Sequence, residues 1–233
     1  MKKIKVEIWS DILCPFCYIS KRRLEKALTT FEYAGQVEVH WRSFELYPDA
    51  NPAPGVSYYS QLAAKYGQTE DWARQMGAST TQLAAEDGLA FNFNQAVHAN
   101  SLRAHCLVHL AARHGQQDAA KERLFKGHFE EGLDVNDVPT LTRMGVELGL
   151  PAAEVAQLLA SRELEQQVRY DEYQARQIGV RGVPYFVFND KYTVSGAQSA
   201  ELFREVLEQV WKASQPVELA GTAETVCDLD GNC

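Results

Sequence analysis

The chain has 233 residues, 45% of them hydrophobic, and a formal net charge of −8. That is apolar enough for a sizeable core and long enough for one large domain, or for a small domain carrying an insertion. The negative balance argues against a nucleic acid or an anionic membrane as partner, and no apolar run approaches the ~18 residues of a membrane span.

The opening stretch, Met1 to Trp9, is basic but is interrupted by Lys5 and Glu7, so no secretory signal is expected and the chain reads as cytoplasmic. Ile4, Val6 and Ile8 alternate with charged residues, as in a strand with one buried face. From Pro15 to about Thr30 the spacing of Cys17, Leu24, Leu28 and Phe31 predicts a helix with one apolar stripe. Val37, Val39 and Trp41 alternate again as a second strand, so the opening suits a right-handed βαβ unit. A loop with three prolines follows over 47–55.

Residues 57 to 179 then hold only helical patterns. These lie near 57–66, 69–85, 99–114, 117–131, 138–148 and 152–179, the last broken near Ser161. Gly67, Gly88, Gly115, Gly132, Gly149 and Gly179 stand at the expected stops. Strand character returns at Tyr185–Phe188, and Asn189-Asp190 turns the chain into Tyr192–Ser195 as a hairpin. A last helix starts near Ser199, and periodicity ends after Pro216. The order βαβ, helices, ββα describes a small α/β sheet split by a helical insertion. The division is residues 1–56 with 180–215 as the sheet domain, 57–179 as the insertion and 216–233 as a tail.

The chemistry sits in the cysteines, at 14, 17, 106, 227 and 233. In a reducing compartment a close pair is more often catalytic or metal-binding than a staple. Cys14 and Cys17 stand where a strand hands over to a helix. Unpaired N–H groups and the positive end of the macrodipole favour an anion there, so a thiol should lose its proton more easily. Pro15 fits the first turn, where its missing N–H costs nothing. Cys17, one turn on and sharing the apolar stripe, should be the more buried. Cys14 would then exchange with a substrate sulfur and Cys17 would resolve the mixed disulfide. Half a zinc site and two incidental core thiols are the competing readings, though zinc would want a second pair at similar spacing. Gly182-Val183-Pro184-Tyr185 opens a strand with a proline, which suits a sheet edge; a cis bond facing the cysteines is the rarer alternative, found at about 5–6% of X–Pro bonds.

Ser10-Asp11-Ile12-Leu13-Cys14-Pro15-Phe16-Cys17, the long helical insertion, Gly182-Val183-Pro184-Tyr185-Phe186 and Gly196-Ala197-Gln198 together resemble the DsbA-like oxidoreductases of thioredoxin fold. Within that family the chain is most similar to the FrnE-type branch, which Asn100-Ser101-Leu102-Arg103-Ala104-His105 also resembles. The resemblance implies a thioredoxin fold with Cys14 as nucleophile and Cys17 as resolving thiol. It implies a cis Pro184 packed over the disulfide, a Val183 backbone that holds a bound peptide like an added strand, and Pro15-Phe16 as the dipeptide that tunes redox potential. Some members carry a further C-terminal pair, which Cys227 and Cys233 resemble, so these are a candidate second redox pair. No cofactor or metal is implied beyond an external thiol such as glutathione. The expected partners are protein or small-molecule thiols and disulfides.

Other residues carry milder expectations. Cys106, in an apolar helical stretch, reads as an inert buried thiol. His105 and His109 are four apart, which is ligand spacing, but helix packing is their default. Asp11 either shuttles protons or ends the strand, and its charge would oppose the helix end at Cys14. Tyr58, Tyr59, Trp72, Phe91 and Phe93 are candidates for a substrate groove. Three functions compete: disulfide exchange, a glutathione-dependent isomerase or transferase such as the 2-hydroxychromene-2-carboxylate isomerases and kappa-class transferases, and a zinc-stabilised binding module. The second group carries a serine where Cys14 stands, which argues against it.

Overall fold

The computed structural model describes residues 3–50 and 56–215. Cys227 and Cys233 lie outside the described residues. Four strands form one mixed sheet in the order β2-β1-β3-β4. β1 (Ile4–Ser10) runs parallel to β2 (Val37–Ser43), and α1 (Pro15–Thr30) makes the crossover between them. β1 also pairs antiparallel with β3 (Tyr185–Phe188), which pairs with β4 (Tyr192–Ser195). Asn189 and Asp190 both take positive φ, 48° and 57°, in the tight turn between them, which the Lys191 N–H closes on the Phe188 carbonyl at 3.1 Å. The last element of the described residues is α9 (Ala200–Ser214), packed on α1.

Between β2 and β3 the described residues form helices and loops: α2 (Tyr58–Tyr66), α3 (Glu70–Glu86), α4 (Leu102–Arg113), α5 (Gln117–Phe129), α6 (Val138–Glu147), α7 (Ala152–Ala160) and α8 (Glu165–Gln177). Side-chain oxygens of Ser57, Thr69 and Asp137 cap α2, α3 and α6, each accepting from the N–H three residues on. The predicted break near Ser161 is the gap between α7 and α8. α4 starts three residues later than the periodicity suggests. Asn100 Oδ1 accepts the Leu102 N–H at 2.9 Å and holds the chain in a side-chain-closed turn first.

β1 departs from the one-sided strand expected. Ile4, Val6 and Ile8 are fully buried, but so, nearly, are Glu7 and Trp9 on the opposite face. The reason is α8, which lies over that face. The Trp9 indole Nε1 donates to the Asp171 carbonyl at 2.9 Å, and Arg42 reaches from Glu7 (Nε, 2.9 Å) to the Asp171 carboxylate (3.2 Å). One buried cluster joins Ile4, Val6 and Phe186 of the sheet to Leu107, Val155 and Phe203 of the helices. A second gathers around Cys14 and Cys17 with Tyr18, Phe91, Phe125 and Phe129. Among the described residues no helix is long and apolar enough to cross a membrane.

Candidate active site

The β1–β3 register pairs Trp9 with Tyr185. The chain leaving β1 therefore passes beside the chain entering β3, and residues far apart in sequence meet at one sheet end. After Ser10 the backbone turns, with the Cys14 N–H donating to the Asp11 carbonyl at 3.2 Å. Cys14 takes an extended conformation as the N-cap of α1, Pro15 occupies its first turn, and the Cys17 N–H donates back to the Cys14 carbonyl at 3.0 Å. The Val183–Pro184 peptide bond is cis. The Cys14 Sγ donates to the Val183 carbonyl oxygen at 3.5 Å. Both sulfurs are free thiols, 3% exposed at Cys14 and 1% at Cys17.

The protonation of the pair departs from the expectation of an easily ionised Cys14. Its thiol is pushed well above the ordinary range, first by its hydrogen bond with the Cys17 sulfur, then by burial and by the Cys17 charge, with the Asp11 carboxylate adding to these. A backbone hydrogen bond from Cys17 works the other way and is outweighed. The physical reason is that the two sulfurs share a covered site. Within it, negative charge on one sulfur discourages ionisation of the other.

Cys14 is reached through a groove of about 520 Å³, lined among others by Phe16, Tyr58, Leu62, Trp72, Phe93 and Val183. Of the five aromatic candidates, Tyr58, Trp72 and Phe93 face this groove, while Tyr59 and Phe91 are packed in the core behind it. Phe16 is 39% exposed and presents its ring at the groove mouth. Lys65 and Arg181 line the same groove. The Lys65 ammonium sits 3.7 Å from the centre of the Tyr47 ring, and burial lowers its pKa.

Asp11 is fully buried. Burial acts to raise its carboxyl, but His105 and the N–H groups of Leu46 (2.6 Å) and Leu13 (3.2 Å) outweigh it and hold the group below the ordinary range. Asp11 therefore ends the strand as a carboxylate bound to backbone donors. His105 and His109 turn to different partners: His105 Nε2 lies 3.5 Å from Asp11, and His109 Nε2 lies 3.0 Å from Ser43 Oγ and 3.2 Å from Asp171. Cys106 is buried away from the groove, and burial pushes its thiol up to about 12.

Several buried ionisable groups were not singled out from the sequence. Lys121 and His128 are each 1% exposed on α5, and Glu45 is 6% exposed after β2. The signal for the first two was periodic. They share the core-facing stripe of α5 with Leu124 and Phe125, where a cation is out of place.

The family model for the DSBA-like thioredoxin domain matches residues 5–208. The chain is 39% identical to the probable DsbA oxidoreductase SCO1869 of Streptomyces coelicolor, over 98% of this chain and 97% of that one, with a TM-score of 0.85. It shares its fold with 2-hydroxychromene-2-carboxylate isomerase, at 15% identity over 90% of each-chain alignment on this side and 97% on the other, TM-score 0.65. It shares it also with the cytosolic disulfide reductase DsbM of Pseudomonas aeruginosa, at 19% identity over 90% and 100%, TM-score 0.63, a protein whose structure has also been solved with GSH. With its sheet order and its helical insertion, the chain belongs to the DsbA-like thioredoxin domain family.

Proposed function

We propose that this chain is a thiol–disulfide oxidoreductase that works through the Cys14-Pro15-Phe16-Cys17 dithiol and a mixed-disulfide intermediate. The observation that carries this reading is the position of the Cys14 sulfur. It caps α1, is hydrogen-bonded within the Cys14–Cys17 pair, lies 3.5 Å from the Val183 carbonyl and lines the mouth of an apolar groove. Cys14 attacks one sulfur of a substrate disulfide, the other sulfur leaves as a thiolate, and Cys17 then displaces the bound half. The Val183 backbone is positioned to hold an extended substrate segment, with Pro184 behind it, and Pro15-Phe16 shapes the surface beside the reacting sulfur.

Reduction or isomerisation is the direction we favour. Strongly oxidising members of such folds owe their potential to a stabilised reduced form, whereas burial and Cys17 keep the Cys14 proton in place here. That direction matches a cytoplasmic setting. Lys65 and Arg181 on the groove suit an acidic low-molecular-weight thiol such as glutathione as external reductant. Cys227 and Cys233 are proposed as a second pair that hands electrons to the first.

The test is insulin reduction coupled to dithiothreitol. Cys14→Ser abolishes activity and Cys106→Ser retains it; equal activity in both variants defeats the reading. The groove cations and the isomerase likeness favour one alternative, a glutathione-dependent isomerase or transferase. Tight glutathione binding with no Cys14–Cys17 disulfide formed by any oxidant would select it.

A further inference from the structure

The groove that leads to Cys14 has a charge opposite to that of the whole chain. The net charge is −8, yet Lys65 and Arg181 line the groove and, among the described residues, no aspartate or glutamate does. Neither cation has a carboxylate partner among the described residues. Arg23, Arg42, Arg74 and Arg169, none of them on the groove, each pair with one. Lys65 instead rests over the Tyr47 ring, 3.7 Å from its centre.

The helical insertion makes the surface around these cations apolar. α2 turns Tyr58, Leu62, Lys65 and Tyr66 to the groove, at the four-three-one spacing of a single helix face. α3 adds Trp72 and Met76, four apart. Ring centres lie 5.5 Å apart for Tyr66 and Trp72 and 4.8 Å apart for Tyr58 and Phe93. Tyr66, Met76 and Phe16 remain exposed beside the reacting sulfur, where open apolar surface marks a contact site. Arg181 stands two residues before Val183, whose carbonyl lies 3.5 Å from the Cys14 sulfur. Two residues of extended chain span about 7 Å. A segment laid along Val183 therefore brings a side chain one or two positions from its cysteine within reach of Arg181.

Resting on the dithiol reading above, we propose that the groove selects a polypeptide cysteine by its neighbours, an apolar side chain seated among Tyr58, Trp72 and Phe93 and adjacent acidic side chains held by Lys65 and Arg181. Glutathione fits only half of this surface, because it brings carboxylates but no apolar side chain. A cysteine among basic residues meets two uncompensated cations and is turned away. In the exchange, Cys14 gives its proton to water and attacks the peptide sulfur. The bond from that sulfur to its partner breaks, and the partner leaves with the bonding pair as a thiolate.

The test uses peptides whose single cysteine is joined to thionitrobenzoate: acidic (Leu-Cys-Glu-Glu), basic (Leu-Cys-Lys-Lys) and lacking the apolar neighbour (Ser-Cys-Glu-Glu), with glutathione in the same form. The reduced full chain carrying Cys227→Ser and Cys233→Ser attacks them, and released thionitrobenzoate gives the second-order rate. Each rate is divided by that with 2-mercaptoethanol, which removes the peptide's own reactivity. At low salt the acidic peptide is expected to exceed each of the other three substrates by at least about fivefold. Salt at about 0.5 M, or Lys65→Gln combined with Arg181→Gln, brings the acidic-to-basic ratio within about twofold and leaves the leucine-to-serine ratio in place. Equal rates for the acidic and basic peptides overturn the proposal, as happens if the chain's own acidic residues 217–233 fill the groove. It is overturned equally by a charge preference that survives salt, by a serine peptide as fast as the leucine one, or by glutathione as fast as the acidic peptide. The parent chain alone decides these outcomes, whether or not the double variant folds. Failure of the dithiol reading looks different, because no substrate would then outrun a Cys14→Ser chain.

Discussion

The Cys14 sulfur lies 3.5 Å from the carbonyl oxygen of Val183, a contact across 169 positions of sequence. It ties the head of α1 to the residue before the cis proline. Under the proposed mechanism it also places a backbone acceptor where a substrate's own backbone would run. With Cys14 so placed and Cys17 behind it, removing the second sulfur should arrest exchange halfway. Cys17→Ala is expected to accumulate a substrate disulfide on Cys14, seen by intact mass, with multiple turnover reduced by at least about tenfold. No adduct, or one on Cys106, would contradict this order of events.

The reduced pair should ionise in two separated steps. Cys14 keeps its proton because of Cys17, burial and Asp11, and Cys106 is pushed up to about 12, so neither adds a second thiolate near neutrality. In a chain with Cys227 and Cys233 replaced by serine, ultraviolet absorbance is expected to show no more than one thiolate per chain up to about pH 9.5, where two ordinary thiols would both be largely ionised. Two equivalents by that pH would refute the shared charge.

Asp11 should stabilise the fold only as a carboxylate. Burial alone would raise its pKa, but its donors hold it low, so the native state binds this proton less readily than the unfolded chain does. Its contribution is full above the ordinary carboxylate range and is lost as pH falls through the folded value. Asp11→Ala leaves the Leu46 and Leu13 N–H groups unpaired at a cost of about 1–3 kcal/mol at pH 7. Chemical denaturation at several pH values measures both effects.

Glu45 should behave in the opposite sense. Burial raises it to about 7, helped by Glu172 and Asp11 and opposed by its ion pair with Arg169. The folded pKa exceeds the unfolded one, so stability from this group falls as pH climbs from about 4.3 to about 7 and is flat beyond. Glu45→Gln is expected to remove that slope and to raise stability at pH 8 relative to pH 5. An unchanged pH dependence of the denaturation midpoint would show that Glu45 is ionised throughout.

Lys121→Met is expected to hold or raise the melting temperature, since a thioether of similar length fills the space between Trp41 and Phe125 without a buried charge. A melting temperature several degrees lower would mark the lysine as a structural prop.

Much of this was legible in the sequence because it rests on period and punctuation. The alternation in Ile4–Ile8, the stripe from Cys17 to Phe31 and the glycines after each helix reappear as strands, helix and stops, down to Gly67 and Gly179 at positive φ. Pairing β1 with β3 brings the cis Val183–Pro184 bond to the Cys14 sulfur, with the Val183 carbonyl 3.5 Å away. The burial of Glu7 and Trp9 was not legible, because the α8 surface that covers them is more than a hundred residues away. Nor was the raised Cys14 thiol. A helix end is visible in a motif, whereas the closure of a site around two sulfurs arises only from packing. Lys121 left one local trace, a cation on the stripe of Leu124 and Phe125, but its burial is set by the packing of α5.

The pairing of Trp9 with Tyr185 has one more consequence. Side chains alternate along a strand, so a slip of a single position between β1 and β3 would turn the Val183 carbonyl away from the sulfur. The sulfur-to-carbonyl geometry is thus set by the sheet, while the helices inserted between β2 and β3 supply the groove walls around it.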